Sequence, residues 1–121
     1  MDNLYRYNIK VVRVIDGDSI VADVDLGFGV LLKEQNIRLW GIDCPPIRTK
    51  DDNVKELGYE AKSELEIALV GDITIESHGR CKYGRILATV FSFDNDICAM
   101  MLVNGNAVPY EGGKKTHKWG K

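Results

Sequence analysis

The sequence predicts a mainly β protein of the α+β class: a five-stranded barrel with one helix between the third and fourth strands and a short helix near the C-terminus. Three observations predict this fold. The first 42 residues contain three stretches in which apolar and polar residues alternate, separated by glycine turns. An apolar repeat with helical spacing follows, and two more alternating stretches come after it. Because the chain has 121 residues, we expect one domain, residues 1–121, with its core at about 5–112.

The first strand is predicted over residues 5–15, where apolar and polar residues alternate. The alternation changes phase between Val11 and Val12, which indicates a β-bulge inside one long strand. Asp16-Gly17 is a strong hairpin signal. The second strand is therefore expected over residues 18–26.

The third strand completes a three-stranded meander. Gly27-Phe28-Gly29 indicates a second turn, and residues 30–42 follow it as a strand. Ile37 and Leu39 are expected to face inward, and Arg38 lies on the opposite face.

A helix is predicted after the third strand. Pro45-Pro46 ends regular structure, because neither residue donates a ladder hydrogen bond. The polar stretch 47–53 is expected to be a mobile loop. The helix begins at Val54 or Leu57 and ends at Val70, before Gly71. Asn53 followed by Glu56 fits a capping box.

The last elements are two strands and a short helix. Residues 72–77 and 85–93 alternate as strands, and the basic stretch 78–84 between them is expected to be a loop. Residues 94–96 form a turn that caps a helix over 97–104. Five strands with a helix between the third and fourth are the outline of an OB-fold, a Greek-key barrel that often binds oligonucleotides.

Composition excludes several classes of protein. The net charge of −2 disfavours a protein that coats DNA non-specifically, and the basic tail 113–121 is expected to be a solvated end. No apolar run has the length of a membrane span and no signal peptide is visible, which favours an intracellular setting. The three cysteines, Cys44, Cys81 and Cys98, have no CxxC spacing, so a disulfide framework or zinc knuckle is not expected.

A few polar residues are candidates for chemistry. Asp18 opens a strand, where aspartate is disfavoured, and a carboxylate there can hold a hard cation. Arg38 offers a planar charged fork that suits phosphate. Residues 80–85 hold three cations and Tyr83, which could grip a phosphate and stack a base. The alternatives are a hairpin turn for Asp18, a surface arginine, and a solvated basic loop.

Taken together, four motifs carry a family resemblance. They are VxRVIDGDSI, IRLWGIDCP, KYGRILATV and AVPY, in this order and with a helix between the second and third. The sequence resembles the thermonuclease family, the staphylococcal-nuclease-like domains, over about residues 9–112. This resemblance implies hydrolysis of phosphodiester bonds in single-stranded or frayed DNA and in RNA, with one Ca²⁺ ion and no membrane partner.

The resemblance also implies residue roles. Asp18 and Asp43 match the family's calcium-binding aspartates, and the backbone carbonyl of Cys44 matches a further ligand. Arg38 and Arg85 match the two arginines that clamp the phosphate.

Three further positions match residues that contact the substrate. Lys82 and Tyr83 match side chains that contact a terminal phosphate. Tyr110 matches, more loosely, a tyrosine beside the base.

One position departs from the family pattern. The family has a glutamate, the usual general base, where this sequence has Pro46. Proline cannot accept a proton from water, so we expect reduced efficiency rather than loss of activity, since general-base assistance contributes about 10²–10⁴-fold. Calcium-bound hydroxide, or a carboxylate of Asp51, Asp52 or Glu60, could substitute.

Two other functions stay open, and several residues have ordinary interpretations. The chain could be a non-catalytic OB module that binds nucleic acid or protein, or a structural barrel without a ligand. Trp40 is expected in the core or the wall of the cleft and Cys81 as an ordinary loop thiol. His78 and His117 are expected to be exposed to solvent.

Overall fold

A computed structural model describes residues 5–110, and the basic tail 113–121 lies outside them. The order of elements agrees with the prediction, with three additional short strands. The elements are β1 (Arg6–Asp16), β2 (Ser19–Asp25), β3 (Leu31–Leu39), β4 (Ile42–Asp43), α1 (Asp52–Ala68), β5 (Ile73–Arg80), β6 (Ile86–Ser92), β7 (Asn95–Asp96), α2 (Ile97–Val103) and β8 (Val108–Pro109).

Five of these strands close into a barrel. β1, β2 and β3 form the predicted antiparallel meander, β5 pairs with β1, and β6 pairs with β5. Parallel pairing of β6 with β3 closes the barrel, with Ile37 opposite Ile86 and Leu39 opposite Ala88. The OB-fold prediction is therefore confirmed. The short strands β4 and β8 pair with each other outside this sheet.

The bulge in β1 lies where the phase of the alternation changes. The register with β2 shifts between Val11 and Arg13, so Val12 has no partner and is exposed to solvent. A second irregularity, not predicted, lies between β2 and β3. There Glu34 has a φ of 49°, and its amide donates to Asp23 Oδ1 at 2.7 Å.

This bulge perturbs a carboxyl group. The hydrogen bond from the Glu34 amide, together with Lys33 at 3.1 Å, lowers the pKa of Asp23. The carboxylate therefore stabilises a left-handed backbone conformation that a non-glycine residue seldom adopts.

The third strand is shorter than predicted. It ends at Leu39, because Gly41 adopts a φ of 80° and turns the chain. The apolar pattern continues beyond the turn because Ile42 is buried in β4. The boundary at residue 42 was therefore wrong, although the residues beyond the turn are still extended.

The main helix begins at Asp52, two residues before the first of the two predicted starts, Val54. It ends at Ala68, two residues before the predicted end at Val70. Asp51, not Asn53, is the N-cap, and its Oδ1 accepts the amides of Asn53 at 2.9 Å and Val54 at 3.2 Å. Gly58 lies inside the helix for a tertiary reason. A Cβ at this position would lie 2.7 Å from the carbonyl oxygen of Pro46. Glycine thus allows the Pro45-Pro46 segment to pack directly on α1.

The basic loop is shorter than predicted because β5 continues to Arg80. Residues 81–85 form the remaining turn, in which the Cys81 amide donates to the Arg85 carbonyl at 2.8 Å and the Gly84 amide donates to the Cys81 carbonyl at 2.9 Å. α2 begins after Asp96, whose carboxylate caps Ala99, as the sequence predicted.

The barrel interior and the inner faces of both helices form one apolar core. Its largest fully buried members are Ile20, Ile37, Leu39, Ile42, Leu65, Ile75, Ile97 and Met101. Neither helix within residues 5–110 is long and apolar enough to cross a bilayer.

Candidate functional site

The β1–β2 turn places the first candidate residue. Asp16 pairs with Ser19, so the two turn residues are Gly17 and Asp18, not Asp16 and Gly17 as predicted. Gly17 is required by space: a Cβ there would lie 2.7 Å from Ala61 Cβ and 2.9 Å from Cys44 Cβ. This close approach brings the turn against α1 and against the segment after β4.

Arg38 lies between the two aspartates. Its Nη1 is 3.0 Å from Asp18 Oδ2, and its Nη2 is 3.5 Å from Asp43 Oδ1. All three residues are buried, with exposed fractions of 7% for Arg38, 6% for Asp18 and 3% for Asp43. A carboxylate from the β1–β2 turn and one from β4 therefore converge on one guanidinium group.

The amide of Cys44 adds a further contact. It donates to Asp18 Oδ2 at 2.9 Å, while the hydroxyl of Ser19 donates to Asp18 Oδ1 at 3.2 Å. Burial nevertheless dominates and raises the pKa of Asp18 to about 6, although the charge of Arg38 acts in the opposite direction. A second positive charge at this point would relieve the cost of keeping the carboxylate ionised.

Arg38 and Arg85 share one cavity of about 700 Å³. Arg85 lies directly before β6, held there by the turn at 81–85. Its Nε is buried and has no hydrogen-bond partner within the described part of the chain. Buried donors are nearly always satisfied, so an anionic ligand is the natural partner for this nitrogen.

The other predicted substrate residues also lie around this cavity. Lys82, Tyr83 and Tyr110 line it. The guanidinium carbon of Arg38 lies 5.4 Å from the centre of the Tyr110 ring, and Lys82 Nζ lies 5.2 Å from that of Tyr83. Tyr83 is largely exposed, so its ring is accessible to a ligand.

The cavity also contains residues that the sequence analysis did not assign to it. Asp16 and Leu87 line it, as does Cys81. Asp16 belongs there because its Oδ1 accepts the amide of Asp18 at 3.1 Å. Leu87 was detectable in principle, since it lies two residues after Arg85 and such residues share a face of a strand.

The three thiols differ in their ionisation. Burial raises the pKa of Cys98 to about 11 and raises that of Cys44 further. For Cys81, burial acts to raise the pKa, but hydrogen bonds from the Tyr83 amide and from Arg85 outweigh it and lower the pKa.

None of the three carboxylates that were considered as alternative general bases lines the cavity. Asp51 is engaged as the helix N-cap. Asp52 is exposed in the first turn of α1, and Glu60 faces a separate groove beside Tyr59. Pro46 itself is half-buried against α1.

Trp40 does not belong to the core. It is 45% exposed and stacks on His78, with ring centres 4.5 Å apart and an interplanar angle of 20°. His78 is exposed, as expected, and His117 lies outside the described residues.

The donor chemistry around Arg38 fits a hard divalent cation. Asp18 and Asp43 each direct a carboxylate oxygen at the Arg38 guanidinium, and carboxylate oxygens are the ligands that calcium prefers. Residues 5–110 contain no group of three or more acidic, histidine or cysteine side chains placed to hold a metal ion. The protein would thus supply two carboxylates, with the remaining positions left to backbone, water or substrate oxygens.

The fold and the site together define a class: an OB barrel with two arginines at one cavity, one of which pairs with two buried aspartates. Comparison with known proteins agrees. Residues 36–119 match the family described as "Staphylococcal nuclease homologue". The chain belongs to this family, and the predicted resemblance is confirmed.

Two curated relatives are similar to this chain. A protein named Thermonuclease from Staphylococcus hyicus is 32% identical over 94 residues, which cover 75% of this chain and 52% of the relative. An uncharacterized protein of Methanocaldococcus jannaschii is 33% identical over 112 residues, covering 75% of this chain and 51% of the relative. The chain therefore spans about half the length of the curated relatives it matches.

Proposed function

We propose that this protein hydrolyses phosphodiester bonds of DNA or RNA with the help of calcium, at reduced efficiency. The observation that carries the proposal is the convergence of Arg38 with Asp18 and Asp43 beside a cavity that Arg85 also lines. Membership of the nuclease family supports the same reaction class.

The arginines would act on the phosphate. When water attacks phosphorus, negative charge grows on the equatorial oxygens, and donors aimed at those oxygens stabilise the transition state. Arg38 and Arg85 both reach the cavity, and the unpartnered Nε of Arg85 is one such donor. Guanidinium groups suit this task because they stay charged and can bind two oxygens at once.

Asp18 and Asp43 would hold the cation, with the carbonyl of Cys44 as a further ligand. Bound there, calcium would supply charge neutralisation and would lower the pKa of a coordinated water. In the protein alone, Arg38 neutralises these two carboxylates.

Pro46 is the basis for the reduced efficiency. The resemblance implies that it occupies the position of the family's glutamate, and the acids that line the cavity are Asp16 and Asp18. A protein base contributes typically about 10²–10⁴-fold, and that is the loss we expect relative to family members that have the glutamate.

The first test is cleavage of denatured DNA and of RNA in calcium, with EDTA and Arg85→Ala as controls. Removing one transition-state donor costs on the order of 10²–10³-fold, so the variant should lose nearly all activity. Cleavage that is equal in calcium, in EDTA and in the variant would come from a contaminant, and the proposed activity would be rejected.

A non-catalytic binding module is the second candidate, and Pro46 is the observation that favours it. Pro46→Glu distinguishes the two, with Pro46→Gln as a control of similar shape and no charge. A gain with Glu but not with Gln, up to about 10²–10⁴-fold, would show that the rest of the site is competent. Oligonucleotide binding without cleavage in either variant would instead support the binding module.

A further inference from the structure

The stacked pair of Trp40 and His78 is a rigid, exposed aromatic surface. The Trp40 amide donates to the carbonyl of Ala88 at 2.8 Å, which fixes Trp40 against β6. His78 Nε2 lies 2.9 Å from the hydroxyl of Thr89, which fixes the other ring. β6 thus holds the backbone of Trp40 and the ring of His78, on which the Trp40 ring stacks, and Trp40 remains 45% exposed. A large aromatic side chain held in place but left in contact with solvent is suited to a ligand that stacks.

Two strands connect this surface to the cavity. On β3, Arg38 lines the cavity, and Trp40 lies in the turn directly after the last residue of this strand, Leu39. On β6, Leu87 lines the cavity, and Thr89, which contacts His78, follows two residues later. Residues two apart share a face and lie about 6.6 Å apart along a strand. Through the contact of His78 with Thr89, the aromatic pair therefore lies beside the cavity on this face of β6, and neither of its members lines the cavity itself.

We infer that Trp40 and His78 form a stacking subsite for the base of a nucleotide that neighbours the bound phosphate. The inference rests on the proposed function, because it requires a nucleic acid phosphate between Arg38 and Arg85. A nucleic-acid strand that leaves the cavity along this face would pass over the aromatic pair within about one nucleotide of the bound phosphate. A single-stranded substrate fits this surface, since a base within a duplex has no free face to offer.

The expected size of the effect follows from stacking energies. Base–aromatic stacking contributes about 1–3 kcal/mol per base by alanine substitution, which corresponds to about 5- to 150-fold in the dissociation constant. Trp40→Ala should weaken binding of single-stranded oligonucleotides by this factor. Trp40→Phe, which keeps a stacking ring, should recover most of it.

A matched control is available on α1. Tyr59 is 51% exposed, close to the value for Trp40, but it lines a groove with Glu56, Glu60 and Glu64. Acidic surroundings repel phosphates, so Tyr59→Ala should leave oligonucleotide binding unchanged.

The experiment combines the variants with abasic oligonucleotides. Dissociation constants are measured in EDTA, so that nothing is cleaved, for an oligonucleotide of about eight nucleotides, within the usual OB-fold site size. Each base is removed in turn. One abasic position should weaken binding to the wild type as much as Trp40→Ala does with the intact strand. Combining the two changes should add little further loss, because they remove the same contact.

A direct readout uses the fluorescence of Trp40. The sequence has one other tryptophan, Trp119, which Trp119→Phe removes. Emission from Trp40 should then fall on addition of the intact oligonucleotide. It should fall less with the abasic oligonucleotide whose missing base weakens binding as much as Trp40→Ala does. Thermal midpoints of all variants check that Trp40→Ala still folds.

Several outcomes would overturn the inference. The first is unchanged oligonucleotide binding in Trp40→Ala. The second is full additivity of the losses in binding free energy from Trp40→Ala and from base removal at every abasic position. The third is no change in Trp40 emission when the oligonucleotide binds. If cleavage still depends on calcium and Arg85 in that case, only the subsite is wrong. If the wild type neither binds nor cleaves nucleic acid, the proposed function fails together with it.

Discussion

Replacing Arg38 by methionine removes the guanidinium group that contacts two buried carboxylates. Methionine keeps much of the side-chain length and apolar stem, so the substitution tests charge more than volume. Asp18 and Asp43 would then be left buried beside each other without the guanidinium that now contacts both.

The magnitude follows from that geometry. A charge pair about 4 Å apart interacts by about 4 kcal/mol at an effective dielectric constant of about 20. Removing one partner of a buried pair costs about 3–5 kcal/mol, because the remaining charge is desolvated and uncompensated. At about 4 °C per kcal/mol for a domain of this size, Arg38→Met should lower Tm by about 12–20 °C.

The assay is thermal unfolding in EDTA at about pH 7, followed by circular dichroism. Arg85→Met is the matched control, because no carboxylate within the described residues forms a salt bridge with Arg85. Arg85→Met should lower Tm by less than Arg38→Met does. Adding Asp43→Asn to Arg38→Met should recover part of the stability, since it removes one of the two carboxylates that Arg38 contacts in the wild type. Calcium should do the same if these carboxylates hold it.

Two results would refute this reasoning. One is a Tm for Arg38→Met within a few degrees of that for Arg85→Met. The other is strict additivity of Arg38→Met and Asp43→Asn, which would show that the two residues do not interact.

Three further results are expected. Iodoacetamide should alkylate Cys81 before the two buried thiols, because its pKa is lowered and it lines the cavity; labelling of a buried thiol first, seen by mass spectrometry, would contradict this. Asp23→Asn should lower Tm at about pH 7 but not at about pH 2. The pKa of Asp23 is lowered in the folded state, so the carboxylate stabilises the fold at pH values above its unfolded pKa of about 3.9. This stabilisation is lost as the pH falls through the folded-state pKa. An equal loss at both pH values would exclude that cause. Gly58→Ala should lower Tm although helix propensity alone favours alanine by about 1 kcal/mol, because the added Cβ would lie 2.7 Å from the Pro46 carbonyl oxygen; a higher Tm would show that this segment yields.

Much of the fold was predictable because strand faces are a local property. Alternation predicted the meander, and the change of phase beside Val12 predicted the bulge in β1. Element ends were less predictable, because they depend on backbone geometry. Gly41 ends β3 by turning the chain, while apolar residues continue on both sides of that turn.

The motifs predicted which residues are candidates for the site, and their types alone indicated phosphate and cation chemistry. Only the tertiary structure decided how they meet. From the sequence, Gly17 is an ordinary turn residue and Gly58 is a poor helix former. Both are nevertheless needed for close contacts with distant segments. Likewise, nothing local distinguishes a core tryptophan from Trp40, whose exposure depends on which strand lies beside it.

The sequence by itself therefore determined the strands, the main helix and the charged groups, since periodicity and side-chain chemistry are carried by each residue. The tertiary structure decided that Arg38 neutralises two acids at once and that an aromatic surface lies beside the cavity that Arg38 and Arg85 line. The first depends on the pairing of β2 with β3, which places Ser19, beside Asp18, opposite Arg38. The second depends on closure of the barrel between β3 and β6, which places Arg38 opposite Leu87 and the end of β3 beside Ala88.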